Sequence, residues 1–212
     1  MFHPPLASRT PTLPLSSLTN QLRDATATLR DDRELLAGRV SGQDYRTYLL
    51  CMYGFHANLE RALKSCRPLA GVIADAPLRN HKSALIAHDL VALGVERFDL
   101  IAAPRMSFPG ALACPEALGW TYVVEAIALG GRQLMRHLAR QLPAELSRAS
   151  AYLSCYGGEA QERWRELSES IDSFEHAGRD GDRVVAAARD GFLQLRAWVR
   201  PALQPRSNRI HA

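Results

Sequence analysis

The segment from Leu118 to Gly131, LGWTYVVEAIALGG, carries an apolar pattern of helical period into a Gly-Gly pair. The pattern then continues, with Leu134, Leu138 and Ala139 keeping helical spacing between Arg132 and Leu142. Each interior glycine costs a helix roughly 1 kcal/mol relative to alanine. Two in succession therefore imply a kinked helix, or a backbone that something flat approaches closely. Two short helices joined by a turn are the simpler alternative. The continued spacing favours a single kinked helix.

Helical periodicity extends over most of the chain. A first helix is expected to start near Ser16 or Ser17, turn Leu18, Leu22, Ala25 and Leu29 inward, and end before Gly38. A second has a capping-box-like start from Ser41 to Asp44, followed by Tyr45, Tyr48, Leu49, Met52, Phe55, Leu59 and Leu63 at spacings of three and four. A third runs from about Leu78 to Leu93 and ends at Gly94. The Gly-Gly helix follows Pro115, whose ring suits a first turn. After Gly157-Gly158, Trp164, Leu167, Ile171 and Phe174 mark another helix. The last runs from about Asp182 to Val199, with Val184, Val185, Ala188, Phe192 and Leu195 inward. No stretch alternates long enough to be a strand, and there is no internal repeat. These features predict an all-α, single-domain helical bundle over residues 15–200. Residues 1–14 hold four of the twelve prolines and read as a flexible tail, as do residues 201–212.

Composition narrows the function classes. A chain of 212 residues with 47% hydrophobic and 23% charged content can enclose a core and a ligand cavity. No apolar run is long enough to span a membrane, and the start, Met1-Phe2-His3-Pro4-Pro5, lacks the order of a secretory signal. A cytoplasmic protein without a membrane role is expected. Cys51, Cys66, Cys114 and Cys155 lack metal-type spacing and read as reduced, packed thiols. The net charge of +4 invites a nucleic-acid reading, but arginines and acids are interspersed and no basic stripe interleaves with aromatics. Walker loops, dinucleotide fingerprints, nucleophile elbows and CxxC pairs are all missing.

Gly119, Tyr122-Val123, Glu125 and Leu129-Gly130-Gly131 resemble the distal-helix signature of bacterial heme oxygenases, above all the biliverdin-producing kind associated with bacteriophytochromes, roughly GxxYVxEGSxLGG. Further pieces follow in that family's order: Leu22 to Thr26, Phe55-His56 with Leu59-Glu60, Arg79 with Leu85 and Asp89-Leu90, Tyr156-Gly157 with Trp164-Arg165, and Ala187-Ala188 with Phe192, Leu195 and Trp198. Together they span about residues 15 to 199. The resemblance implies a fold that sandwiches heme between the first helix and the glycine helix. It also implies an activity in which reductant and dioxygen cut heme to biliverdin, iron and carbon monoxide.

Two departures bear on that activity. The family's proximal ligand is a histidine four residues after the threonine of LRxxTxxxH, and counting from Thr26 gives Arg30. A guanidinium stays protonated and has donors only, so it cannot coordinate iron. On the distal side, the family's first hinge glycine and the small polar residue after it are Ala126 and Ile127. Those two side chains narrow the site and remove a group that would order water beside iron-bound oxygen.

Other histidines offer little rescue. His56 belongs to a Phe-His pair that the family shows beside its own ligand, and it reads as structural. His81 and His88 have no nearby carboxylate cluster, His3 and His211 lie in the tails, and His137 and His176 are remote in sequence from the first helix. No metal ligand is assigned, and any heme is not expected to be held by histidine in the family manner. Glu159, Glu162, Glu166, Glu169 and Asp172 read as a solvated acidic helix face. By the resemblance, Arg23 stands one heptad before the ligand position, where a basic residue pairs with a propionate; a surface arginine is the plainer reading. Arg189 and Arg196 match too loosely to assign.

The candidate cleft residues are thus Arg23, Arg30, Tyr122, Ala126, Ile127, Gly130 and Gly131. The leading reading is a degenerate bacterial heme-oxygenase-like protein, a pseudoenzyme that binds a tetrapyrrole or another flat or anionic ligand, or a protein partner. The alternatives are an active biliverdin-producing heme oxygenase with an unconventional proximal side, and a packed helical scaffold without a cleft.

Overall fold

A computed structural model describes residues 17–28, 38–73, 79, 81–176 and 180–203. The described residues form eight α-helices and no strand. In chain order these are α1 (Leu18–Thr26), α2 (Gly42–Ser65), α3 (Lys82–Ala92), α4 (Arg97–Ala102), α5 (Cys114–Leu138), α6 (Pro143–Leu146), α7 (Ala160–His176) and α8 (Gly181–Leu203). The expected N-terminal tail, Leu29 and Arg30 lie outside the described residues.

Local chemistry sets several boundaries. The Ser17 side chain accepts from the Asn20 amide and caps α1. Leu18 and Leu22 point inward as expected, but the next buried position is Thr26, and Ala25 is only half-buried. Thr26 tolerates burial because its hydroxyl donates to the Leu22 carbonyl at 2.8 Å, so no donor is stranded. At α2 both arms of the capping box form: the Asp44 amide donates to Ser41 Oγ at 3.2 Å, and the Ser41 amide donates to Asp44 Oδ2 at 2.8 Å. Every apolar position named for that helix is buried.

Helix α3 starts later than its apolar pattern indicates. Its Ncap, His81, makes no side-chain cap. Glu60 of α2 supplies the cap instead, accepting from the Ser83 amide at 2.8 Å and the Ser83 hydroxyl at 2.6 Å. After Ala92 the chain leaves the helix, and Gly94 adopts φ +82°, a left-handed conformation that glycine takes without steric cost. At the other end of the chain, α8 runs on to Leu203 with Pro201 inside it. The C-terminal tail expected from residue 201 therefore starts too early: Pro201, Ala202 and Leu203 are helical.

The most extensive packing in the fold is between α5 and α8. A Cβ on Gly119 would lie 2.6 Å from the Val184 carbonyl oxygen, and one on Gly191 would lie 2.8 Å from a Val123 methyl. One glycine on each helix thus lets the two backbones cross closely. α1 lies against α7 and α8, with the Thr19 amide donating to Asp172 Oδ1 at 2.9 Å. Among the described residues, no helix is long and apolar enough to cross a membrane.

Candidate functional site

Helix α5 passes through Gly130-Gly131 without a break, and a cavity of about 280 Å³ opens beside it. The Ala126 to Gly131 run, Gln133 and Leu134 form one wall. Tyr48 of α2, Phe192 of α8, and Tyr152 and Leu153 from the segment between α6 and α7 form the others. The two glycines have different physical roles. A Cβ on Gly131 would stand 2.7 Å from the Leu153 carbonyl oxygen, so the close approach there is made by the protein's own backbone. A Cβ on Gly130 would meet nothing within 4 Å, and this residue leaves an open, flat stretch of backbone.

The sequence-derived cleft residues separate on this geometry. Ala126, Ile127, Gly130 and Gly131 line the cavity. Tyr122 does not: it is fully buried one turn earlier, its ring 5.2 Å from that of Trp164. Arg23 does not either. Its side chain is 63% exposed and lies 3.7 Å from Asp24, at the surface. Arg30 lies outside the described residues.

Tyr152 is held from three sides. Its amide donates to Asp89 Oδ2 at 2.9 Å, and the Ala151 amide donates to Asp89 Oδ1 at 3.0 Å. The preceding turn is fastened by Tyr45, whose hydroxyl donates to the Ala149 carbonyl at 2.7 Å. The Tyr152 hydroxyl lies 3.1 Å from Nε2 of His56, which is fully buried. Burial, aided by the charge of Lys82, holds the His56 pKa well below the usual imidazole value, so the ring is neutral.

Behind the cavity wall lies a buried charge network that sequence reasoning missed. Glu125 accepts from Arg79 at 3.2 Å, from Lys82 at 2.9 Å and from the Tyr156 hydroxyl at 2.7 Å. Lys82 also donates to the Arg79 carbonyl and the Tyr156 oxygen, which uses all three of its protons. Burial and the neighbouring Glu125 carboxylate push the Tyr156 pKa far up, keeping the phenol a donor. Arg79 reaches Glu166 at 2.8 Å. The acidic face of α7 is therefore only partly a solvated one: Arg165 pairs with Glu162 and Glu169 at the surface, while Glu166 ties to the interior and Asp172 to α1. Placed immediately before Ala126, Glu125 fastens α5 at the start of its cavity-lining run.

The sequence matches the heme oxygenase family profile over residues 13–201. This chain belongs to the heme oxygenase family. A heme oxygenase from Neisseria meningitidis, solved in its NO- and CO-bound forms, is similar in structure with a TM-score of 0.73. The match covers 92% of this chain and 96% of that one at 19% identity, which supports the shared fold alone. No curated protein matches the chain in sequence.

Family membership implies heme, so the fit of these walls to heme can be tested. An apolar slot with an uncovered glycine backbone suits the face of a flat macrocycle. Iron is another matter, because among the described residues the lining side chains include no imidazole, thiol or carboxylate. Among the described lining residues, Tyr48 and Tyr152 are the only groups that ligate iron in any protein class, and a phenol must first lose its proton. The neutral imidazole beside Tyr152 is a poor acceptor for that proton. The described residues fit a flat organic ligand and do not fit iron coordination.

Proposed function

We propose that this family member binds a flat, largely apolar tetrapyrrole in the slot beside Gly130 and Gly131 and does not open a heme ring. The observation that carries the reading is the composition of the cavity wall: open backbone at Gly130, apolar side chains around it, and no group suited to iron among the described residues. Arg30 at the family's ligand position supports the same reading, because it has no lone pair to give iron. Ala126 and Ile127 support it from the other side, as both line the slot and neither can order water. A cavity of about 280 Å³ is at the small end of ligand pockets, roughly 300–1,000 Å³. It encloses part of a tetrapyrrole, with the remainder leaving past the exposed Gly130. The packed-scaffold alternative is disfavoured by the cavity itself.

The test is paired titration with hemin and metal-free protoporphyrin IX, followed by turnover assays with an electron donor and oxygen under catalase. Both compounds are expected to bind with affinities within a few-fold, because iron adds no bond, and no biliverdin is expected. Stoichiometric biliverdin would overturn the reading in favour of an active heme oxygenase. Failure of both compounds to bind would overturn it in favour of a scaffold.

A further inference from the structure

Three of the four large apolar side chains most exposed among the described residues, Val91, Phe98 and Ile101, stand on the surface shared by α3 and α4. Gly94, at φ +82°, turns the chain between these two helices. Leu100 is buried and anchors α4 to the core, while Phe98, two residues away and so on the opposite side of the helix, is 76% exposed. Ile101, one turn on from Phe98, is 73% exposed. None of these side chains belongs to the walls of the slot beside Gly130.

A groove of about 490 Å³ lies between α3 and α4, next to this apolar crest. Its walls are apolar at Ala87, Val91, Ala92 and Leu100 and polar at His88 and Arg97. The groove therefore presents a guanidinium, which can only donate, to whatever enters it. Phe98 is bordered by the opposite charge: Asp99 follows it and Glu96 stands at the start of the helix, both exposed. Among the described residues, none of Glu96, Arg97 and Asp99 has an ion-pair partner. An apolar knob flanked by acids and an apolar hole flanked by a cation thus share one surface. The knob cannot fill the hole of its own copy, because it points away from Leu100, which forms part of the hole's wall.

From this complementarity we infer that the α3–α4 surface is the interface of a two-fold homodimer, in which Phe98 of each copy seats in the groove of the other and Arg97 of each copy pairs with the acids beside the other's Phe98. A second copy is the occupant because this chain supplies both halves of the match. One two-fold rotation fills both grooves and pairs both sets of charges, and the assembly then closes on itself. Buried aromatic anchors in apolar pockets, with charge pairs around them, are the features that carry the binding energy of such interfaces. The inference is independent of what the slot binds.

The experiment is sedimentation velocity of the full chain over roughly a hundredfold range of concentration, which moves a self-association equilibrium by mass action. The native chain is expected to shift toward twice the monomer mass and no further. Phe98→Ser and Arg97→Glu are each expected to weaken dimerisation by at least about tenfold. Both positions are exposed, so an unchanged circular dichroism spectrum is expected of each variant. Charge exchange gives an independent arm: an Arg97→Glu copy and a Glu96→Lys/Asp99→Lys copy should each stay monomeric alone and form a one-to-one dimer when mixed. A native chain that is monomeric throughout overturns the inference and leaves the groove to a different protein. A dimer that survives Phe98→Ser, a mixed pair that does not associate, or growth of the native chain beyond a dimer overturns it as well.

Discussion

Glu125 accepts from Arg79 at 3.2 Å and from Lys82 at 2.9 Å in an interior where none of the three is more than 2% exposed. Two buried cations and one buried carboxylate are stable only as a set, with Glu166 and Tyr156 completing it. Isolated buried charges are costly, and removing one member of such a pair costs about 3–5 kcal/mol because its partner is left uncompensated. Glu125→Gln is expected to destabilise the fold by about 3 kcal/mol, measured by urea denaturation. Glu166→Gln is expected to cost less than half as much, because that carboxylate is 42% exposed and water replaces it at Arg79.

The two glycines of the slot should respond to the same substitution with opposite signs. Gly131→Ala drives a methyl against the Leu153 carbonyl at 2.7 Å, which is backbone and cannot swing away. A loss of about 1–3 kcal/mol is expected, the range for overpacking. Gly130→Ala meets nothing within 4 Å and replaces a poor helix former inside α5. It should raise stability by up to about 1 kcal/mol. The same methyl projects from the wall that lines the cavity, so protoporphyrin affinity should fall as stability rises. Thermal melts and porphyrin titrations of the two variants check both signs, and a Gly130→Ala protein that binds porphyrin as well as the native chain would remove Gly130 from the binding surface.

His56 supplies a pH dependence whose sign follows from its burial. Its folded pKa is depressed below the unfolded value by desolvation first and by Lys82 second. Below about pH 6.5 the unfolded chain takes up a proton that the folded chain refuses. The stability associated with the neutral ring is therefore fully present above that pH and is lost as pH falls from about 6.5 toward the folded value. Between pH 7.5 and 5.5 the loss from this one group is about 1.4 kcal/mol. Denaturant unfolding at the two pH values should show a native-minus-His56→Gln difference that shrinks by that amount on acidification. A difference independent of pH would mean that His56 has the same pKa in the folded and the unfolded chain.

How far the sequence discloses this molecule depends on the range over which each signal acts. Helix α2 is legible because its capping box is closed within four residues and its buried positions repeat at three and four. The continuation of α5 through Gly130-Gly131 is legible for the same local reason. Thr26 reads as polar and turns out buried, since its hydroxyl is satisfied by a carbonyl one turn back, a possibility that hydrophobic pattern does not encode. The Arg79–Glu125–Lys82 cluster is illegible because charged residues ordinarily mark the surface, and the partners are separated by 43 and 46 residues. Tyr152 and Leu153 were missed as cavity walls because the segment between α6 and α7 carries no regular period. The Phe55-His56 pair does stand out in the sequence, but only the fold shows that the histidine meets Tyr152.

The proximal position allows the widest separation between fold and chemistry. If the family fold is intact and only the iron ligand is lost, Arg30→His restores an imidazole four residues after Thr26, where the family's ligand stands. That change replaces a cation without a lone pair by a neutral donor, and it should raise hemin affinity by at least tenfold while leaving metal-free protoporphyrin nearly unchanged. The difference between the two ligands isolates the iron bond from any effect on the apolar slot. Turnover should still be absent, because Ala126 and Ile127 continue to crowd the opposite wall. Adding Ala126→Gly and Ile127→Ser reopens that wall and supplies a hydroxyl, at a stability cost of about 2–4 kcal/mol for the lost isoleucine. Biliverdin formation under catalase is expected from the triple variant and not from Arg30→His alone. A folded Arg30→His protein that binds hemin and protoporphyrin equally would show that residue 30 does not face the slot, and the proximal wall would then have to be sought elsewhere in the chain.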